Sequence, residues 1–419
     1  MTDPAPPAAG TAMRARTPIP ARLWLMLAAM VVAQAATTVV TAAPAFLIPH
    51  LLENEQMTLT AAGLLAGAPN LGLVLSLVAW GAATDRFGER RVILVGLALA
   101  VVAVAASMLV HGFVPLGIAL VASGAVSACT NSASGRLITG WFPAERRGFA
   151  MGIRQTCQPL GMAIAALGVP PLAAFGGISA AFALGGALCA LSLVGCWIIV
   201  RDPERAPSRV ARRDDPASAK TVSAGNPYRE SSALMRIHAV SMLLVVPQFA
   251  LSTFGLVWFT VGLGWSALAA GALVAASQFA GAACRILVGA WSDRAMSRLG
   301  PLRIVAIAGI AALLLAAAFG WAEWSLPAAA AYLVASCVSV ADNGLAFTSV
   351  AELAGPGWAG RALGIQNTGQ FVAAAAVGPA VGALIGALGT PAALAILALA
   401  PAVAVPLVPR PEAERGLRG

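Results

Sequence analysis

Lysine is almost absent from this chain, and histidine is rare. Lys220 is the only lysine, and it lies in DPASAKTVS, which lacks the glycines of the phosphate-binding loop GxxxxGKS/T. ATP hydrolysis is therefore not expected. The three histidines, His50, His111 and His238, are too scattered to indicate a metal site, and the six cysteines form no CxxC pair. Without a recognisable arrangement of nucleophile and base, the sequence predicts neither an enzyme nor a cofactor.

Charge of either sign is also scarce. Charged residues make up 10% of the chain and hydrophobic residues 59%, whereas soluble domains carry about 25% charged residues. Apolar runs of about 20 residues recur between residues 22 and 409, which is typical of membrane-spanning helices. Backbone polar groups in lipid must be satisfied internally, and no alternating strand pattern is present. The sequence therefore predicts an all-α membrane protein.

Charged and helix-breaking residues divide the apolar runs into twelve spans. We number them 1 to 12, and they lie near residues 22–48, 57–82, 91–110, 114–140, 148–170, 177–200, 236–262, 266–291, 302–320, 326–352, 360–386 and 390–409.

The beginning of the chain also resembles a cleavable signal peptide. Arg14, Arg16 and Arg22 precede an apolar stretch, and AQA follows at 33–35. However, the apolar run continues to Ile48, which makes it about 26 residues and long enough to cross a bilayer with tilt. We therefore predict an uncleaved first span.

Positive charge is confined to the loops on one side. The other loops contain no lysine or arginine, and they lie near residues 49–56, 111–113, 171–176, 263–265, 321–325 and 387–389. Lysine and arginine accumulate in cytoplasmic loops, so both termini, 1–21 and 410–419, are predicted to be cytoplasmic. This asymmetry accounts for the net charge of +9, and we predict no nucleic-acid partner. The expected location is a plasma membrane, the inner membrane of a bacterium.

The chain contains an internal repeat. GAATDR at 81–86 matches GAWSDR at 289–294 with a shift of 208 residues, and AMGIRQTCQ at 150–158 matches ALGIQNTGQ at 362–370 with a shift of 212. Span 4 repeats in span 10 with the same shift of 212, and span 1 repeats in span 7 with a shift of 214. We predict two parallel six-helix bundles, 22–200 and 235–409, joined by a cytoplasmic linker at 201–234.

The stretch between spans 2 and 3 is similar to a known signature. GAATDRFGERR matches GxxxDRxGxRR, by which the chain resembles the major facilitator superfamily of secondary transporters. The resemblance implies that fold for residues 22–409 and a cytoplasmic gate at these positions. The matching residues are Gly81, Asp85, Arg86, Gly88, Arg90 and Arg91, with a partial second copy at Gly289, Asp293 and Arg294.

The glycines of this signature are expected to allow close helix packing, and the arginines to favour helix carboxyl termini. The resemblance implies that Asp85 contacts span 11 and Asp293 contacts span 5 when the outside is open. We hypothesise that Asp85 and Arg86 latch the cytoplasmic side. The alternative is that these charges only set the topology. Glu352 is expected to join Arg294 or Arg361.

Polar residues recur near the predicted membrane midplane in both halves. Transporters built from repeats bind substrate there, at the interface of the repeats. Any single amide could instead bond helices together, but the matched set favours a polar chamber. The candidate substrate-binding residues are Gln34, Thr38, Asn131, Gln158, Gln248, Ser252, Asn343 and Gln370, together with Arg285.

Arg285 carries the strongest signal for a substrate. It lies eight residues before Asp293, about 12 Å into the membrane, where a charge is costly and needs a cavity or a partner. Its planar fork suits a carboxylate. RILVGAWSD at 285–293 is similar to the pattern of oxalate–formate antiporters and, more loosely, of monocarboxylate porters. Asp342 is the candidate coupling residue, either carrying a proton or neutralising Arg285.

These patterns predict a monomeric secondary transporter for a small organic anion, for example a monocarboxylate, that works by a rocker-switch motion in the lipid bilayer. Proton coupling is expected through Asp342. A proton-coupled drug or metabolite efflux antiporter is the alternative, but spans 1 and 4 lack the carboxylate that such transporters use. A sensor or scaffold on the same fold would be expected to append a soluble domain.

Overall fold

A computed structural model describes residues 20–141, 153–154, 156–201, 227–354 and 358–409, and every regular element in these ranges is a helix. The predicted all-α class is confirmed. In the first half the helices are Ala21–Phe46 and Ile48–Glu53 (span 1), Leu59–Phe87 (span 2), Glu89–Leu109 (span 3), Phe113–Trp141 (span 4) and Cys157–Ile199 (spans 5 and 6).

The second half follows the same order after a short helix, Pro227–Glu230. Its helices are Ala233–Val257 with a π-helical end at Trp258–Gly262 (span 7), Ala267–Arg294 (span 8), Leu299–Trp321 (span 9), Ser325–Ala354 (span 10), Ala359–Leu388 (span 11), and Thr390–Leu397 with Leu399–Leu407 (span 12). Span 7 therefore begins slightly before the predicted end of the linker. Residues 202–226 of the linker and residues 1–19 and 410–419 of the tails lie outside the described residues.

Spans 5 and 6 form one long helical segment with a break. Gly176 and Gly177 have non-helical backbone angles, and φ at Gly177 is +66°. A positive φ is readily adopted by glycine, which has no side chain to clash. Eleven helices in the described ranges are long and apolar enough to cross a membrane, counting this 43-residue segment as one. The break makes twelve crossings.

The turn between spans 2 and 3 is shorter than the charge pattern predicts. Span 2 continues as a helix through Phe87, and span 3 begins at Glu89. Gly88 alone reverses the chain, with φ of 90°. Charged residues at a helix end outside the apolar layer remain helical, so the end of the apolar run at residue 82 is not the end of the helix.

Equivalent arginines secure helix ends in both bundles. Arg90 in span 3 donates from Nη2 to the carbonyl oxygen of Trp197 at the end of span 6, over 2.9 Å. Arg303 in span 9 donates in the same way to the carbonyl oxygen of Val408 at the end of span 12, over 3.0 Å. The last carbonyl groups of a helix lack intrahelical partners, so each arginine caps a carboxyl terminus.

The two bundles meet along two pairs of helices, span 2 with span 11 and span 5 with span 8. We call the end of the molecule that carries Arg86 and Arg294 the basic end, and the other the opposite end. Near the opposite end a β-carbon on Gly63 would collide with the carbonyl oxygen of Gly378. A β-carbon on Gly271 would likewise collide with the carbonyl oxygen of Ala166.

These two contacts are related by the internal repeat. Gly63 and Gly271 are separated by the 208-residue shift, and Ala166 and Gly378 by the 212-residue shift. Backbone therefore touches backbone at two equivalent crossings, which small residues permit. The parallel-repeat arrangement of two six-helix bundles is thus visible in contacts between the bundles as well as within them.

Candidate functional site

A central cavity lies between the two bundles. Its empty volume is about 1150 Å³, including the part that is open to solvent, and spans 1, 2, 4, 5, 7, 8, 10 and 11 all contribute to its wall. Fifteen of the 27 residues in that wall are polar. In a chain so apolar, this concentration of polar groups makes the cavity the candidate ligand site.

The structure brings six of the nine predicted substrate-binding residues to this wall. They are Thr38, Asn131, Gln158, Gln248, Ser252 and Arg285. The other three, Gln34, Asn343 and Gln370, do not line the cavity and lie one layer behind it.

In the first bundle an amide pair joins spans 1 and 4. Gln34 is 3% exposed and donates from Nε2 to Oδ1 of Asn131 over 2.6 Å. Arg154 of span 5 donates from Nη1 to Oε1 of Gln34 over 3.5 Å. Gln34 thus fixes the orientation of Asn131, which faces the cavity.

The second bundle contains the matching pair and extends it. Asn343 donates from Nδ2 to Oε1 of Gln248 over 2.8 Å. Gln370 donates from Nε2 to Oδ1 of Asn343 over 2.9 Å and to Oγ of Ser241 over 2.7 Å. Here the glutamine faces the cavity and the asparagine lies behind it, the reverse of the first bundle.

Arg285 is the only charged side chain that the described residues contribute to the cavity wall. The residue is partly buried, and its Nε donates to the carbonyl oxygen of Val340 on span 10 over 3.1 Å. This hydrogen bond holds the stem of the side chain while the guanidinium remains at the wall. A buried guanidinium attracts anions and binds a carboxylate with two parallel hydrogen bonds.

Asp342 does not line the central cavity. It is 1% exposed and lines a smaller cavity of about 280 Å³ inside the second bundle, between spans 7, 9, 10 and 12. Neither carboxylate oxygen has a hydrogen-bond partner among the described residues. Ser339 of span 10 lies in the walls of both cavities.

Comparison with known proteins assigns this architecture to a family. The family model described as Major Facilitator Superfamily matches residues 25–377, which is most of the chain. The chain belongs to the Major Facilitator Superfamily. Members of this superfamily are transporters, so a transport role rather than a catalytic one follows.

Two further comparisons agree with this assignment. The chain is 45% identical over 365 residues to an uncharacterized MFS-type transporter of Mycobacterium tuberculosis strain H37Rv, covering 87% of this chain and 80% of the relative. The fold is similar to that of a bacterial homologue of the human lysosomal transporter Spinster, in an inward-facing and occupied conformation. That match has a TM-score of 0.75 and 15% identity and covers 93% of this chain and 96% of the other.

The fold is also similar to that of a D-xylose–proton symporter, with a TM-score of 0.75 and 16% identity. This match covers 94% of this chain and 99% of the symporter. At such low identity the two structural matches show the superfamily fold alone.

The superfamily signature between spans 2 and 3 lies at the basic end. Arg86 is exposed, with Cζ 5.4 Å from the ring centroid of Phe87, and Arg91 is exposed as well. The side chain of Asp85 lies outside the part of the structure that is described, so its predicted contact with span 11 stays a prediction. Gly88 forms the turn described above.

The predicted close packing at the two signature glycines is not seen among the described residues. A β-carbon on Gly81 or on Gly289 would meet none of their atoms within 4 Å. Close packing of glycine backbone occurs instead near the opposite end, at Gly63 and Gly271. The reason is that the described helices of the two bundles touch there.

In the second copy of the signature, Asp293 pairs within its own bundle. It forms an ion pair with Nη1 of Arg298, just beyond the end of span 8. The amino-terminal end of span 5 lies outside the described residues, so the expected contact of Asp293 with span 5 stays a prediction. Glu352 of span 10 also pairs with Arg298, over 3.5 Å, so the expectation of Arg294 or Arg361 as its partner is wrong. Arg294 is exposed.

Arg298 therefore connects two acids at the basic end. Partial burial lowers the pKa of Arg298, but hydrogen bonding and charge from Asp293, with Glu352, outweigh that effect and raise it. Arg298 thus joins an acid at the end of span 8 to an acid of span 10.

Several cavity residues were missed by sequence reasoning. Asn70 of span 2 and Gln278 of span 8 both line the cavity, and they are separated by the same 208-residue shift that relates the two signatures. The repeat therefore contained the signal for this pair. Phe249 and Phe371 also line the wall, but nothing in their pattern separates them from other apolar residues of their helices.

Proposed function

We propose that the protein is a secondary active transporter for a small organic anion, a carboxylate, in the plasma membrane. The observation that carries this proposal is the position of Arg285 in the wall of the central cavity, where no acidic side chain accompanies it among the described residues. Placing a charge at this depth costs about 2.5–3.5 kcal/mol even on lenient insertion scales. A substrate carboxylate that binds the guanidinium offsets that cost.

The amides beside this charge are placed to position the rest of the anion. Asn131 and Gln248 face the cavity from opposite bundles, and each is held by a second amide behind it. Fixed amides lose little conformational freedom when they bind a ligand, which favours affinity. The resemblance of RILVGAWSD to carboxylate antiporters supports the same class of substrate.

The proposed mechanism is alternating access by a rocking motion of the two bundles. Tight backbone contacts close the opposite end at Gly63 and Gly271, while no described atom lies within 4 Å of a β-carbon on Gly81 or Gly289 at the basic end. The arginine distribution assigns the basic end to the cytoplasm. On this basis the structure corresponds to an inward-facing state, the conformation named for the Spinster homologue of similar fold.

Asp342 is proposed to couple transport to protons. Taking an ionised carboxylate out of water costs several kcal/mol unless it is paired, and the oxygens of Asp342 have no hydrogen-bond partner in the described structure. Asp342 interacts electrostatically with the positive charge of Arg285. An ionised Asp342 and a substrate anion would compete for one guanidinium, so a proton on Asp342 leaves Arg285 free to bind the anion.

The test is transport by the purified protein in proteoliposomes. Radiolabelled carboxylates are screened with and without a pH gradient, and the variant Arg285→Ala is compared with the original protein. We expect Arg285→Ala to abolish transport of the anions found, because a buried charge-assisted contact is lost. Arg285→Lys keeps the charge without the planar fork and is expected to retain only part of the activity.

Arg229→Ala is the matched control, since Arg229 is exposed and lies far from the cavity in the short helix before span 7. It should transport at the original rate. Full retained activity of Arg285→Ala toward every anion would overturn the proposal, provided that both variants insert and elute as folded protein.

A further inference from the structure

The wall of the central cavity is unusually rich in hydroxyl groups. Nine serine and threonine side chains line it, beside five amides, one guanidinium and no carboxylate among the described residues. We propose that the substrate is a polyhydroxylated carboxylate, of the chemical class of sugar acids, and not a simple aliphatic acid. This inference rests on the proposed anion transport and specifies what the anion carries besides its carboxylate.

The orientation of the hydroxyl groups decides what they can recognise. Seven of the nine donate their proton to a backbone carbonyl of their own helix. Thr38, for example, donates to the carbonyl oxygen of Gln34 over 2.8 Å, and Ser277 to that of Val274 over 2.7 Å. A hydroxyl has one proton and two acceptor sites. The four of these side chains that are partly exposed present acceptors to the cavity, namely Thr38, Thr41, Ser252 and Ser339. Thr37, Ser127 and Ser277 are buried in its wall.

Acceptors at the wall require donors on the ligand. A carboxylate has no donor, and it accepts hydrogen bonds from the guanidinium of Arg285 and from amide N–H groups. Hydroxyl groups along the body of the substrate would supply the donors. An aliphatic chain in the same place would strip water from the wall without replacing its hydrogen bonds, at a cost of about 1–3 kcal/mol for each group left unsatisfied.

The acceptors are spread around the cavity and do not form a single patch. Thr38 and Thr41 project from span 1, Ser252 from span 7 and Ser339 from span 10. A ligand with one hydroxyl would reach only one of these walls, whereas a chain hydroxylated along its length reaches walls of both bundles.

The apolar part of the wall fits the same class of ligand. Phe249 and Phe371 lie among the lining residues, one on span 7 and one on span 11. Hydroxylated carbon chains expose C–H groups between their hydroxyls, and an aromatic ring offers these a flat apolar surface. The cavity thus provides a cation for the carboxylate, acceptors for hydroxyls and rings for the C–H groups.

The test compares substrates that differ only in hydroxyl groups. Gluconate is paired with hexanoate, which has the same carbon chain without hydroxyls, and lactate is paired with propionate. Uptake and equilibrium binding are measured for all four in the same proteoliposomes. We expect gluconate to be preferred over hexanoate by at least about tenfold, since several hydrogen bonds are at stake, and lactate to show a smaller preference.

Thr38→Val and Thr260→Val separate recognition from folding. Both threonines donate to the carbonyl oxygen four residues earlier in their own helix, but Thr260 does not line the cavity. We expect Thr38→Val to raise KM for gluconate by about two- to tenfold, the worth of one hydrogen bond, and to leave any residual hexanoate transport unchanged. Thr260→Val should change neither.

The outcomes distinguish the two proposals. If hexanoate or propionate is transported as well as its hydroxylated partner, in an Arg285-dependent manner, the anion proposal stands and this inference fails. If Thr38→Val affects both members of a pair equally, the inference fails as well. If no carboxylate of either kind is transported, both proposals fail.

Discussion

The two bundles share one scaffold and differ in the charges that it carries. In the first bundle Gln34 holds Asn131 at the cavity wall, and in the second Asn343 holds Gln248 there. The amide pairs are equivalent by the internal repeat. The positions equivalent to Arg285 and Asp342 in the first bundle are Leu77 and Thr130, and neither of these is charged.

This difference shows how a duplicated fold can carry charged functional residues in only one of its two halves. The features that position helices are repeated, such as the amide pairs, the glycine crossings and the arginine caps. The two charges that we assign to the substrate carboxylate and to the proton, Arg285 and Asp342, lie in the second bundle. The repeated residues account for the arrangement of the helices around the cavity. The charged residues that depart from the repeat indicate the transport chemistry.

The largest expected effect comes from removing the charge of Asp342. In Asp342→Asn we expect accumulation driven by a pH gradient to disappear, a loss of roughly tenfold for each pH unit of gradient, because the side chain no longer exchanges a proton. Exchange of labelled for unlabelled substrate should persist, since Arg285 remains free. Both are measured in proteoliposomes.

Thr130→Val changes the equivalent position in the first bundle and serves as the control. Thr130 is buried and bonds to Thr37, so its loss should lower stability slightly and leave coupling intact. Equal loss of gradient-driven accumulation in the two variants would contradict the assignment of coupling to the second bundle.

A smaller effect, equal in both bundles, is expected from the glycine crossings. Gly63→Val and Gly271→Val each place side-chain atoms against backbone of the other bundle, which overpacks the contact by roughly 1–3 kcal/mol. The closed opposite end should become less populated in both. Distances between spin labels at Gln56 and Thr390, on a background without the native cysteines, would report this opening.

Gly195→Val is the matched control, since a β-carbon at Gly195 meets no atom within 4 Å. A change in distance for Gly63→Val without one for Gly271→Val would show that the two crossings are not equivalent, whatever their position in the repeat.

The smallest expected effect concerns the arginine caps. Arg90→Gln and Arg303→Gln should each lower stability by about 1 kcal/mol, the net worth of one hydrogen bond to a helix end. The two sites lie in separate bundles, so the double variant should show the sum of the two losses. Thermal unfolding in detergent measures this, with the exposed Arg91→Gln as the reference. A double variant that loses no more than either single one would refute their independence.

Much of the fold was predictable because bilayer thickness sets the length of an apolar run. The twelve crossings followed from such runs, and the matched depths of Gln34 and Gln248 followed from the repeat. The end of span 2 was not predicted correctly, because the helix continues beyond the apolar run into the charged residues as far as Phe87. Gly88, the residue that ends it, was already visible as the only glycine among those charges.

The sequence could not predict how each helix is rotated about its own axis, and therefore which side chains face the cavity. Asp342 and Asn343 are adjacent in span 10, yet Asp342 faces a side cavity and Asn343 supports Gln248. Successive helical residues are turned by about 100°, so neighbours at one depth point to different places. Which direction faces the chamber depends on packing against the other helices.

The crossings at Gly63 and Gly271 also affect how fast the opposite end of the molecule can open. A seal made of side chains can leak when one of them flips between rotamers, within picoseconds to nanoseconds. Here main chain meets main chain, and no rotamer exists that would part them. Under the proposed mechanism these two contacts part only when the helices themselves separate, which is a collective motion on the microsecond-to-millisecond scale.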